Sequence, residues 1–196
     1  YLGSYYHAHL FRFDPRIEIW EDLGQPAGEK DSFICSLTTA PDGKIWGGTF
    51  PSTHLFSYDP KTGVTRNFGR LDPNQYYAYP TAGDDGLIYC AIQFEKADIV
   101  VFDPVHETKT SLIPLVERKP GRVRLTKGRD GKVYARLSSS GRWFRIEEGK
   151  KLIEVPEADI PFPLTGLPDG RQFQIIDQKI VRIQNPLTKE VKEVPF

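Results

Sequence analysis

Histidine, tyrosine and arginine are the side chains whose types and spacing point to chemistry in this sequence. Elimination from a uronate needs a base to take the proton next to the carboxylate and a cation to stabilise the developing enolate. His9, His54 or Tyr77 supplies the base and Arg122 the charge clamp, and these four form the candidate catalytic set. A second group, Tyr5, Tyr6, His7, Asp31, Tyr76, Glu95, Arg118 and Arg142, combines rings with charge, as a site for an anionic or carbohydrate ligand would. A framework reading stands beside both. His9 and His54 lie 45 residues apart at equivalent places of a repeat, and a repeated position also fits a strand cap. Arg118, Lys119 and Arg122 equally fit an ordinary solvated loop.

Other chemistries find less support. A metal-dependent lactonase needs convergent acidic ligands. The segments that would lie innermost, Ser32–Thr39, Tyr76–Ala82, Arg122–Lys127 and Pro163–Leu167, carry almost no carboxylates, with Asp31 nearby as an exception. A three-histidine site from His7, His9 and His54 is the remaining metal alternative, and the expectation is no metal and no cofactor. Phosphate loops, serine nucleophile elbows and zinc-type cysteine spacings are absent from the sequence. Cys35 and Cys90 read as small buried apolar residues.

The elements that must position these side chains follow from an internal repeat. Phe13-Asp14-Pro15, Tyr58-Asp59-Pro60 and Phe102-Asp103-Pro104 recur at 45 and 44 residues, with degenerate copies at Ile146-Glu147 and Ile183-Gln184-Asn185-Pro186. A second ladder runs out of phase: Asp42-Gly43-Lys44-Ile45-Trp46, Asp85-Gly86-Leu87-Ile88-Tyr89, Asp130-Gly131-Lys132-Val133-Tyr134 and Asp169-Gly170-Arg171-Gln172-Phe173. Each unit reads as four short strands joined by Asp-Gly and Asp-Pro turns, and no stretch keeps a helical period. In the second unit the strands are expected at 32–39, 45–49, 54–58 and 64–69. Units of this length and strand count are propeller blades.

The predicted fold is therefore all-β, a β-propeller of four-stranded antiparallel blades. About four and a half blades occupy residues 1–196 as a single domain or segment, with breaks near 28, 73, 118 and 160. The first blade lacks its innermost strand, and Phe196 closes the outer strand of the last. An open array leaves unpaired edges, so the natural protein is expected to extend upstream into a larger closed propeller. The Asp-Gly-Lys-Ile-Trp and Leu-Phe-x-Tyr-Asp-Pro-x-Thr-Gly units resemble β-propellers of the kelch, NHL and streptogramin-lyase-like group, over essentially the whole chain. That resemblance implies activities ranging from sugar-lactone hydrolysis and polysaccharide or streptogramin elimination to pure interaction platforms. Fold alone does not choose among them.

With 26 basic and 26 acidic residues, the chain carries no overall field to attract nucleic acid or an anionic membrane. No apolar run reaches the length of a membrane span. At 39% hydrophobic and 12% aromatic residues it can bury a core. Two cysteines suit the cytosol and a bacterial exported protein equally well. The leading expectation is a platform for a small or extended anionic ligand, plausibly a carbohydrate, bound on the loop face near the propeller axis. The alternatives are a uronate lyase and a protein-interaction scaffold, and the expected partners are a small molecule or glycan and the remainder of the propeller itself.

Overall fold

The computed structural model describes residues 1–162, 172–176, 180–185 and 188–195, as two compact units divided after Pro161. The first unit holds four antiparallel sheets. The first sheet comprises β1 (Leu2–Gly3), β2 (Leu10–Asp14) and β3 (Ile19–Asp22), and the second β4 (Phe33–Thr39), β5 (Ile45–Phe50), β6 (His54–Tyr58) and β7 (Thr65–Arg70). The third has β8 (Tyr77–Ala82), β9 (Ile88–Gln93), β10 (Asp98–Asp103) and β11 (Thr108–Ser111), and the fourth β12 (Val123–Lys127), β13 (Val133–Leu137), β14 (Trp143–Glu147) and β15 (Lys151–Val155). The described residues of the second unit form a three-stranded sheet, β16 (Gln172–Ile176), β17 (Ile180–Gln184) and β18 (Val191–Pro195). Strands follow chain order across every sheet, as the repeat predicts. The expected strand at Pro163–Leu167, the Asp169-Gly170-Arg171 turn, Pro186 and Phe196 lie outside the described residues.

The repeated motifs are turn chemistry. Asp42, Asp85 and Asp130 each accept the amide two residues on, from Lys44, Leu87 and Lys132 at 3.0, 3.1 and 3.3 Å. The following glycines take positive φ, which a hairpin of this kind requires. Asp14, Asp59 and Asp103 do the same for Arg16, Lys61 and Val105. Asp85 and Asp130 also accept the hydroxyls of Tyr89 and Tyr134 at 2.6 and 2.8 Å, so each of these turns is fastened to the strand that follows it. Burial, reinforced by those carboxylates, pushes the Tyr134 hydroxyl up to about 12 and that of Tyr89 in the same direction.

Within residues 1–161 the sheets pack face to face in chain order: β4 on β1, β8 on β4 and β5, and β12 on β8 and β9. Three apolar clusters fill the interfaces, around Leu10 and Phe56, around Trp46, Leu55 and Phe102, and around Tyr89, Ile99 and Val133. Middle strands are covered on both faces, which is why β5 and β9 read as continuous apolar runs and are buried almost throughout. The outer strands β3 and β11 are exposed along their whole length and read as polar or mixed. The sheets approach closely. A Cβ on Gly48 would sit 2.2 Å from the Ala78 carbonyl oxygen, backbone against backbone, so only glycine fits between β5 and β8.

Candidate ligand-binding cleft

The first strand of each blade presents alternate side chains to two different environments. Along β8, Ala78, Pro80 and Ala82 are buried, while Tyr77, Tyr79 and Thr81 line a cleft of about 800 Å³. On β12 and the residue before it, Val123 and Leu125 belong to the apolar cluster, and Arg122 and Arg124 are exposed at the wall of the same cleft. Ser36 and Thr38 from β4 and Gln93 and Phe94 from the end of β9 complete its polar and aromatic lining. Two hydrogen bonds fix the walls across blades: Ala82 donates its amide to Thr38 Oγ1 at 3.1 Å, and Gln93 Nε2 donates to the Val123 carbonyl at 2.8 Å.

The charge in this cleft is one-sided. Among the described residues no carboxylate lines it, and neither Arg122 nor Arg124 has an ion-pair partner. Burial raises the Tyr79 hydroxyl above its ordinary value, and Arg122 opposes that shift, which places the guanidinium within electrostatic reach of the ring. Aromatic side chains lead into the cleft in unbroken contact. Tyr6 meets Tyr5 at 5.3 Å between centroids, Tyr5 meets Phe33 at 4.9 Å, Phe33 meets Phe50 at 4.8 Å and Phe50 meets Tyr77 at 4.6 Å. Tyr77 then meets Phe94 at 6.0 Å and Tyr79 at 6.2 Å. Tyr5 is 66% exposed, so the run offers ring surface to a ligand at its outer end.

The histidines are placed elsewhere. His9 pairs through Nδ1 with Asp22 at 2.8 Å; the Gly24 amide first, with His9 adding to it, holds the Asp22 carboxyl below its ordinary value. His54 Nδ1 lies between Asp31 Oδ2 at 3.0 Å and the Ala27 carbonyl at 3.2 Å. Asp31 is buried and accepts the Ser52 amide at 3.0 Å, capping the loop between β5 and β6. Gln75 occupies the equivalent place in the next blade and caps its loop in the same way, through the amides of Glu95 and Lys96. His7 sits at φ +60 with its carbonyl held by Gln25.

Arg118 and Arg142 are also committed to partners. The Arg118 side chain, 11% exposed, reaches Asp98 at 2.9 Å and Asp72 at 3.3 Å and donates to the Ile113 carbonyl at 2.9 Å. Asp98 is fully buried; burial pushes its carboxyl up, against the pull of Ser111, the Ile113 amide and Arg118. Arg142 pairs with Glu154 on the surface. Of the candidate residues, Tyr77 and Arg122 share the cleft, with Tyr5 and Tyr76 joined to it through ring contacts; Glu95 lies on the neighbouring loop. Tyr79, Arg124, Gln93 and Phe94 were not anticipated. The alternation along β8 and β12 is the signal that pairs Tyr79 with Tyr77 and Arg124 with Arg122. Cys35 and Cys90 are free thiols whose burial pushes both up, Cys35 to about 12. Among the described residues no cluster of side chains suited to a metal ion occurs, and no helix is long and apolar enough to cross a membrane.

No protein-family model matches the sequence, and no curated protein is detectably similar to it. Solved structures do match. A streptogramin B lyase superposes with a TM-score of 0.63 at 18% identity, over 96% of this chain and 62% of that one. The fold is that of a β-propeller. A catalytically inactive histidine-to-alanine form of virginiamycin B lyase from Staphylococcus aureus, solved with quinupristin, gives 0.58 at 17% identity over 95% and 62% of the two chains. TolB from Acinetobacter baumannii gives 0.54 at 16% identity over 98% and 50%. The propeller described here thus spans about three fifths of the length of the lyases it matches.

Proposed function

We propose that this propeller is a binding platform whose inner-strand cleft takes an anionic, ring-bearing molecule, with a uronate-type carbohydrate as the class that fits. One observation carries the reading: among the described residues, Arg122 and Arg124 have no ion-pair partner and stand beside Tyr77 and Tyr79 in a cleft that no acid lines. Guanidinium groups bind carboxylates by paired, charge-assisted hydrogen bonds, and aromatic faces accept the apolar faces of sugar rings. The cleft volume falls in the range of small-ligand sites, where an interaction scaffold would present a flat face. Calorimetric titration with a galacturonate oligomer tests this. Binding that weakens at least about tenfold in Arg122→Ala is expected; equal affinity in the variant and the parent protein removes the proposal.

A lyase reading uses the same cleft, because Tyr77 and Arg122 line it together as base and clamp. It predicts absorbance from an unsaturated uronate product that disappears in Tyr77→Phe. Binding without that absorbance leaves the platform reading alone.

A further inference from the structure

Phe94 pairs two features that core packing does not explain. Its φ is +124, a region that a side chain with a Cβ enters only under strain, and the residue is 58% exposed. Strained backbone persists where the surroundings over-determine it. Here they do. The residues linking β11 to β12, 112–122, fold back over the loop that follows β9. Ala97 donates its amide to the Lys119 carbonyl at 3.0 Å, Phe94 to Gly121 at 3.2 Å, and Gly121 back to Phe94 at 2.8 Å. Gly121 itself has φ +145, and a Cβ there would lie 2.4 Å from Ser138 Oγ, which accepts the Arg122 amide. In the preceding blade the corresponding position is Pro51 and the linker, 71–76, is shorter; it is held by the Leu71 amide on the Thr53 carbonyl, and its exposed ring, Tyr76, comes from the linker itself.

This strap creates a recess of about 390 Å³ between Phe94, Glu95, Pro120, Gly121 and Arg122. Phe94 and Arg122 line both the recess and the cleft, so the two spaces adjoin. Their chemistry differs. The cleft offers hydroxyls, an amide and two guanidiniums, whereas the recess is walled almost wholly by carbon. Sugar hydroxyls placed there would lose hydrogen bonds to water without replacement, and a flat apolar ring would lose nothing.

We propose that the recess is a subsite for an aryl group on the ligand whose carboxylate rests on Arg122 and Arg124, making the ligand class an aryl-substituted uronide. This rests on the anionic-ligand reading of the cleft and adds the identity of the substituent. Methyl glucuronide and 4-methylumbelliferyl glucuronide, titrated separately into the protein by calorimetry, test both levels. The aryl compound binds about tenfold more tightly to the parent protein. Phe94→Ala removes the preference, so that the aryl and methyl compounds bind that variant with equal affinity. Phe94→Gly accommodates the positive φ without strain and therefore keeps the fold, and it loses the aryl preference equally. Equal affinities in the parent protein, or an aryl preference that survives Phe94→Gly, overturn the subsite while the cleft reading stands on the methyl compound. If neither compound binds the parent protein, the cleft reading fails and the subsite falls with it.

Discussion

At the rim of the blades, four repeat-equivalent positions carry His9, His54, Asp98 and Arg142, and each meets an ionisable partner: Asp22, Asp31, Arg118 and Glu154. At the inner strands Arg122 and Arg124 have no ion-pair partner among the described residues. The rim position changes from histidine to aspartate to arginine along the blades and its partner changes with it, which is the behaviour of a fastening. The inner strands keep charge that nothing in their own blade neutralises, which is the behaviour of a site. In a repeat protein, what recurs with compensation builds the frame, and what breaks the repeat without compensation is available to a ligand.

The sharpest way to break this comparison is at Arg118. Removing its guanidinium leaves Asp72 and Asp98 facing each other in a buried place, and Arg118→Met is expected to cost about 3–5 kcal/mol in denaturant unfolding. A loss below about 1 kcal/mol would show that the buried pair is no fastening. Arg122→Ala supplies the opposite pattern. It should shift stability by less than about 0.5 kcal/mol while weakening carboxylate binding. The double variant with Arg124→Ala should weaken it roughly a hundredfold, and the dependence of affinity on salt should flatten. Arg122→Ala that unfolds like Arg118→Met would erase the distinction.

His54→Ala sharpens the contrast at a residue whose chemistry first suggested catalysis. Its loss leaves buried Asp31 without its imidazole neighbour and the Ala27 carbonyl without the ring nitrogen, so unfolding is expected to become easier by about 1–3 kcal/mol while ligand affinity stays constant. A variant of full stability that no longer binds would return His54 to the site.

Why the sequence separated these roles only in part is visible in particular residues. The blades were legible because their markers act locally: Asp42-Gly43 and Asp59-Pro60 bond within two residues of themselves, so a short motif carries the whole turn. The expected strands of the second unit match β4 to β7 within a residue at their ends. Tyr77 and Arg122 were legible through their place at the starts of inner strands. His9 and His54 look like bases because imidazole titrates near neutrality, but Asp22 and Asp31 decide where they point, and those partners are distant in the chain. Phe94 had no local mark at all. Its exposure and backbone come from a linker that follows a whole blade edge later and turns back over it.

Asp98 makes the framework reading testable by pH. Burial raises its carboxyl in the folded protein, so below the ordinary carboxylate value it is protonated in both states and costs nothing. As pH climbs past that value the unfolded chain releases the proton first, and the folded state loses stability until its own raised value is passed. Asp98→Asn should therefore remove a decline in stability with rising pH just above pH ~4. Parallel pH profiles for variant and parent would mean that Arg118 fully offsets the burial.

The smallest effect belongs to Arg142, the rim position where both partners are solvated. Its pair with Glu154 spans 2.9 Å, with each side chain more than half exposed, so salt and water screen it. Arg142→Ala should cost about 0–1 kcal/mol, and less still at high salt. The rim would then grade from a buried network that the fold needs, through a half-buried histidine pair, to a surface contact. Throughout that series ligand affinity should stay fixed, because none of these side chains lines the cleft. A change in affinity that tracks the loss of stability along the series would mean that frame and site are coupled through the inner strands, and the separation drawn here would have to be replaced by a shared rigidity.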